Sequence, residues 1–361
     1  MIKHLLLFIS IVLFLWVFFR LFSQKLYRFE GFGTNPPGVC VNSLYDDPKN
    51  LPLREYMIKS SYNSAYDNGK VSVDNLVKRI EAGDRFIDLD LYTVSGGIYV
   101  GYSANNDPTL VDAPLAFSEA LNAIQAHAFN KVATSSNVSR QAKFDYTQYP
   151  IFVHLRVYRP PDSKVDIVDN IWTAIQGKGI PNLLAQQKKD ELATTPVLID
   201  GCTLLSEIGQ KIVFCMDIGN LIQIYAPASD PSIKYLPVAT LQKFVNIYTG
   251  GGIWRAFYTY KEFDTATKKL RIEDPTSIQP YHTNVSNMYI VYPYPKEDNS
   301  NPDWQNMVLY HSVQTIPMRS YLVDTNYTSY ETMFTELKTP FVCMSFAYNY
   351  IRKLRSMKVS S

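Results

Sequence analysis

Two acids, Asp88 and Asp90, occupy alternate positions in the apolar stretch Phe86-Ile-Asp-Leu-Asp-Leu-Tyr92. Alternate residues of a strand share a face, so both carboxylates project together while Leu89 points the other way. His154 and Arg156 stand in the same relation within Ile151-Phe-Val-His-Leu-Arg156. Carboxylates and an imidazole are the groups of proton transfer. Two acids on an apolar strand can equally cap helices or bind arginines, and His154 can equally be a hydrogen-bonded core residue. Histidine is scarce, at 5 in 361 residues, which limits acid–base and metal chemistry elsewhere. His127, His282 and His311 fall outside these strands and receive no chemical role.

The elements that must carry these residues alternate in type. Val73, Leu76, Val77 and Ile80 follow helical spacing, with Ser72 as N-cap and Gly83 as C-terminal stop. The Phe86–Tyr92 strand comes next. Phe117, Ala120, Leu121, Ile124 and Ala128 mark a second helix, with Pro114 near its start. A strand over Ile151–Val157, a helix over Val165–Ile175 and a strand over Ile212–Met216 follow. Such alternation predicts a parallel sheet or an α/β barrel.

Ahead of this region, Leu5 to Phe19 is apolar except for Ser10, and Leu21 and Phe22 extend the run past Arg20. At about 1.5 Å per residue the run covers about 27 Å, enough for a single membrane pass. No small-residue cleavage site follows, so a retained anchor over 1–28 is expected rather than a cleaved signal. Arg20, Lys25 and Arg28 outnumber Lys3 and His4, which places the C-terminal bulk on the cytoplasmic side. Glu30 to Asn50, rich in Gly and Pro, reads as a linker. The formal charge of +2 argues against a nucleic-acid partner. Cys40, Cys202, Cys215 and Cys343 are widely spaced, form no CxxC pair and read as buried free thiols.

Four segments in order resemble the X region of phosphatidylinositol-specific phospholipase C. They are Leu51-Pro-Leu-Arg-Glu-Tyr-Met-Ile-Lys-Ser60-Ser61-Tyr62-Asn63, then Ala82-Gly83-Asp84-Arg85-Phe86-Ile87-Asp88-Leu89-Asp90, then Ile98-Tyr99-Val100-Gly101-Tyr102-Ser103, then Pro150-Ile151-Phe152-Val153-His154-Leu155-Arg156. The resemblance covers about residues 51–220. A weaker Y-like half over 221–361 rests on Tyr294-Pro295-Lys296, Ser300-Asn301, Trp304 and Gln314-Thr315. It implies an α/β fold, a distorted (β/α)8 TIM-type barrel over 51–361, with the site at the C-terminal ends of its strands. A chance resemblance would instead leave a sheet that does not close.

The family's chemistry, as the resemblance implies it, uses two histidines. Its eukaryotic members add a calcium ion held by an asparagine and acids. Here the histidine positions are Tyr62 and Tyr102, and the acid that should end the fourth strand is Arg156. Cys215 and Asp217 stand where phosphate-facing lysines are expected. Asn63, Asp88 and Asp90 survive as the remaining binding or metal positions. Arg156 is expected to approach Asp88 or Asp90 as a fixed cation in place of the metal, and to be the likeliest contact for an inositol or phosphate group.

The resulting expectation is a membrane-anchored, catalytically inactive barrel without a cofactor, acting as a structural or binding protein. Divergent family copies in large DNA viruses extend this to a place among protein partners in a membrane-containing virus particle. The alternative is an active phosphodiesterase that cleaves phosphatidylinositol-type lipids with calcium and a reassigned set of Asp88, Asp90, His154 and a tyrosine.

Overall fold

The computed structural model describes residues 51–67, 69–94, 96–103, 114–130, 144–158, 167–179, 199–217, 219, 221, 237–250, 254–257, 263, 288–293 and 300–359. The chain divides into Met1–Asp46 and Asp47–Ser361. The expected anchor and the whole linker, with Tyr294–Lys296 and His282, lie outside the described residues. Among the described residues no helix is long and apolar enough to cross a membrane.

The second unit opens with short strands β1 (Tyr56–Ile58) and β2 (Ser60–Ser61), then the ribbon β3 (Tyr66–Asp67) and β4 (Lys70–Val71). Helix α1 (Val73–Glu81) begins where Ser72 accepts a hydrogen bond from the Asn75 N–H at 3.2 Å. Gly83, at φ 90°, turns the chain out of that helix as its lack of a Cβ permits. Strand β5 (Phe86–Val94) follows, then the hairpin partner β6 (Gly97–Gly101), β7 (Leu115–Ala116), helix α2 (Phe117–His127), strand β8 (Ile151–Tyr158), helix α3 (Ile167–Gly177) and strand β9 (Ile212–Asp217). The second half adds α4 (Val238–Leu241), β10 (Ile247–Thr249), β11 (Trp254–Phe257), β12 (Met288–Val291), α5 (Trp304–His311), α6 (Thr325–Leu337), β13 (Phe341–Cys343) and α7 (Met344–Val359).

Strands β2, β5, β8, β9, β10, β11 and β12 pair in that order, all parallel. The segment after α5 closes the ring. Thr315 bridges Ile290 on one side and Ile58 on the other, and Met318 bridges Ser61. The closing hydrogen bonds are Thr315 N–H to Tyr289 O at 3.2 Å, Ile58 N–H to Gln314 O at 2.7 Å and Tyr62 N–H to Met318 O at 2.9 Å. The sheet therefore closes, as the barrel expectation requires and a chance resemblance does not. Gln314 also accepts from Tyr289 N–H through its side chain and donates to Arg54 O, which pins this seam.

Alternation along each strand separates two cores. Ile87, Leu89, Leu91, Val153, Leu155, Phe214 and Met216 face outward and pack with Leu76, Ile80, Leu121, Ile124, Ile171 and Ile175 of the helices. Phe86, Phe152, Val213, Ile58, Ile247, Met288 and Ile290 fill the barrel interior. Each fully buried aliphatic side chain contributes about 1.5–3 kcal/mol, so the closed ring is held mainly by this double burial. The cysteines depart from expectation. Cys215 is a buried free thiol, but Cys202 is exposed and Cys343 is disulfide-bonded. Thiol spacing alone carries no information on pairing, because bridging depends on where the fold brings the side chains.

Candidate active site

Strand register builds the site in layers. Asp88 pairs with His154, and His154 with Cys215, while Asp90 pairs with Arg156 one layer nearer the strand ends. Thr249 pairs with Asp217. The inward side chains of three neighbouring strands thus converge at the C-terminal end of the barrel, the end where barrels of this type carry their sites.

Asn63 reaches the cluster from the loop after β2. Its φ of 44° is left-handed, a conformation Asn tolerates better than most residues. That turn lets the Asn63 N–H donate to Asp88 Oδ2 at 3.2 Å and the Ser64 N–H donate to Asp88 O at 2.8 Å. Ser64 Oγ accepts from the Asp88 N–H at 3.0 Å, which locks the loop to the strand.

Arg156 is the centre of the site. Its Nε donates to Asp88 Oδ1 at 3.1 Å and its Nη2 to Asp88 Oδ2 at 2.7 Å, a two-pronged grip on one carboxylate. Nη2 also lies 2.8 Å from Asp90 Oδ1 and 3.3 Å from Asn63 Oδ1. The guanidinium therefore touches all three surviving polar positions. Its flat faces are covered by aromatic rings, Tyr62 at 4.6 Å and Tyr292 at 5.3 Å from the guanidinium carbon. All of these polar residues are buried.

His154 sits one layer deeper and is fully buried. Its Nδ1–H donates to Asp88 Oδ1 at 2.8 Å, and its Nε2 pairs with Thr249 Oγ1 at 2.8 Å. The ring stacks on Phe86 and on Tyr292. Both nitrogens are held, so His154 has the contacts of a structural core residue that orients Asp88.

One cation facing two carboxylates splits them electrostatically. Burial alone would raise Asp88, but Arg156, His154 and the Asn63 N–H together hold it below the usual carboxylate range. Burial pushes Asp90 up to about 7, and the charges of Asp88 and Asp217 add to the rise against the opposing pull of Arg156. Burial likewise pushes the Tyr62 hydroxyl up to about 12, despite Arg156 beside it.

Tyr102 is not brought into this cluster. Its ring stacks on Tyr66 at 3.8 Å and meets Tyr321 edge-on at 6.1 Å. Tyr92 and Tyr158, next along β5 and β8, stack at 5.2 Å. Residues missed in the sequence are Tyr292 and Thr249, which follow β12 and end β10. The alternation of Met288, Ile290 and Tyr292 was the available signal for the first, whereas the three-residue β10 is too short to show a period. Asn301, Trp304 and Gln314 are structural. Asn301 accepts from the Arg319 N–H at 2.6 Å, and the Trp304 indole donates to Ser329 Oγ at 2.9 Å.

A divalent ion held by Asn63, Asp88 and Asp90, as the resemblance implies, does not fit this arrangement. The guanidinium already occupies the convergence of those oxygens, and an ion placed there would meet a fixed positive charge at contact distance. Among the described residues no group of three or more His, Cys, Asp or Glu side chains is placed to hold a metal.

Residues 49–198 match the family model described as "Phosphatidylinositol-specific phospholipase C, X domain". This stretch is similar to the X-type region of that family. The crystal structure of PLC21 from L. pealei is similar to the chain at a TM-score of 0.54 with 15% identity, over 84% of this chain and 37% of that one. PLC21 from S. officinalis gives a TM-score of 0.57 with 15% identity, over 84% and 38%. The chain thus spans well under half the length of either relative. No curated protein matches the chain in sequence. The X-type region lies on β1 to α3 and supplies every polar group that Arg156 touches. The barrel is a phospholipase C-like α/β fold.

Proposed function

We propose that the protein is a membrane-anchored, catalytically inactive phospholipase C-like barrel that serves as a structural or binding protein. The observation that carries this reading is the Arg156 guanidinium, bound at once to Asn63, Asp88 and Asp90. Phosphodiester transfer by the route the resemblance implies needs two imidazoles and a cation that lowers the pKa of the attacking hydroxyl. Tyr62 and Tyr102 hold the imidazole positions, and a hydroxyl pushed up to about 12 is no base at neutral pH. A guanidinium neutralises charge but binds no hydroxide. Its Nε and Nη2 already face Asp88, Asp90 and Asn63 and its Nη1 faces Tyr62, so an incoming phosphate would have to displace these contacts.

One observation favours an active enzyme. Asp90, with its proton lost near neutral pH, has the value of a general acid or base. The test is hydrolysis of phosphatidylinositol vesicles by the full chain, with calcium and with chelator, beside an active phospholipase. We expect no water-soluble inositol phosphate in either condition and no calcium-dependent rise in melting temperature. Release that disappears in Asp90→Asn would establish the reassigned enzyme instead.

A further inference from the structure

Helix α7 closes the chain with an unusual outer face. It buries Met344, Ala347 and Ile351, at helical spacing, against β13, β1 and α5. Away from that face Phe346, Lys353 and Met357 are exposed and align in one stripe, flanked by Tyr350, which is half-buried against the core. The outer face of a surface helix is ordinarily polar. Here Phe346 is 37% and Met357 49% exposed, with Lys353 exposed between them and Arg352 exposed alongside. Of the five large hydrophobic side chains exposed among the described residues, these two lie on α7 and a third, Tyr310, lies against it. Arg355 reaches Tyr310 through its hydroxyl at 3.4 Å and its ring at 5.8 Å, and donates to Asn306 Oδ1 at 2.8 Å. Phe346 and Met357 thus form one exposed apolar face of α7, with Tyr310 on the helix's other flank.

Charge decides what that surface fits. The segment Met344–Val359 contains Arg352, Lys353, Arg355 and Lys358 and no Asp or Glu. A second copy of the chain would bring Arg352 and Lys353 against their own equivalents. An anionic bilayer surface matches both features, because bulky apolar side chains enter the acyl boundary while Lys and Arg extend to the headgroups. We propose that α7 is an in-plane lipid-contact helix, laying its Phe346–Met357 stripe on an anionic membrane surface. The barrel would then be held against the bilayer by its own surface, at a place distinct from the Arg156 site and whether or not that site hydrolyses anything.

The test uses the full-length chain with Cys202→Ser and Phe346→Cys, carrying an environment-sensitive fluorophore at 346. The protein is reconstituted with vesicles of phosphatidylcholine alone or with added phosphatidylserine. We expect a blue-shifted, brighter emission only with phosphatidylserine. It should reverse at about 1 M salt, where the screening length falls to about 3 Å. Adding Arg352→Gln and Lys353→Gln should weaken the contact by about 30-fold, at about fivefold per cation. Equal emission in the two lipids, or a shift that survives salt and both substitutions, overturns the proposal. A shift that depends on protein concentration without phosphatidylserine also overturns it, in favour of self-association. The readout is independent of hydrolysis, so failure here leaves the reading of the Arg156 site untouched.

Discussion

Replacing Arg156 by methionine tests the proposed role of the guanidinium most directly. The side chain keeps most of its apolar length but loses the cation that touches Asp88 at 2.7 Å and Asp90 at 2.8 Å. Removing one partner of a buried ion pair costs about 3–5 kcal/mol, because the remaining charge stays desolvated. Here two carboxylates remain, with Asp217 near. The pH dependence follows from the two directions of shift. In the native protein Asp88 lies below its unfolded value of about 3.9, so its stabilisation is present above that pH and lost as pH falls through the folded value. Asp90 lies above its unfolded value, at about 7, so its ionisation opposes folding and stability falls as pH rises from about 4 to 7. Without Arg156 both carboxylates shift upward, and Asp88 changes from a stabilising to a destabilising charge. The deficit of Arg156→Met should therefore reach about 3–5 kcal/mol at pH 8 and shrink markedly at pH 5, where proton uptake relieves the site. Urea unfolding of the full chain in detergent micelles, followed by tryptophan fluorescence with chelator present, measures this. A deficit under about 1 kcal/mol at pH 8, or one equal at both pH values, would refute the electrostatic account.

Asp90→Asn should stabilise the barrel at pH 8 by about 1–4 kcal/mol and by about a third as much at pH 5, where the unfolded acid is already ionised while the folded one is protonated like the amide. The same unfolding measurement checks it, and destabilisation at pH 8 would show that the ionised Asp90–Arg156 pair is net favourable. Tyr330→Phe removes the hydroxyl that accepts from the Ser60 N–H at 2.8 Å. The orphaned backbone donor should cost about 1–3 kcal/mol, and amide exchange should accelerate at Ser60.

Much of the first half was legible because its signals are local. The Ser72 cap, the Gly83 turn and the alternation in β5, β8 and β9 each sit within a few residues, so element type and inward face follow from spacing. The approach of Arg156 to Asp88 and Asp90 followed from the shared faces of the two strands, while the register that pairs Asp88 with His154 came from the fold. The second half was less legible. Strand β10 has three residues, and the seam at Gln314–Met318 is made of single bridges that no periodicity announces. Tyr292 joins Arg156 across a long separation in the chain, through ring closure rather than local pattern. By itself, then, the sequence determined the alternating α/β plan and the shared faces of Asp88 with Asp90 and of His154 with Arg156. Tertiary structure alone decided that one guanidinium meets Asn63, Asp88 and Asp90 together, that His154 is fixed at both nitrogens and that Asp90 titrates near neutrality. Each of these depends on burial and on distances across strands, and neither quantity exists until the barrel closes.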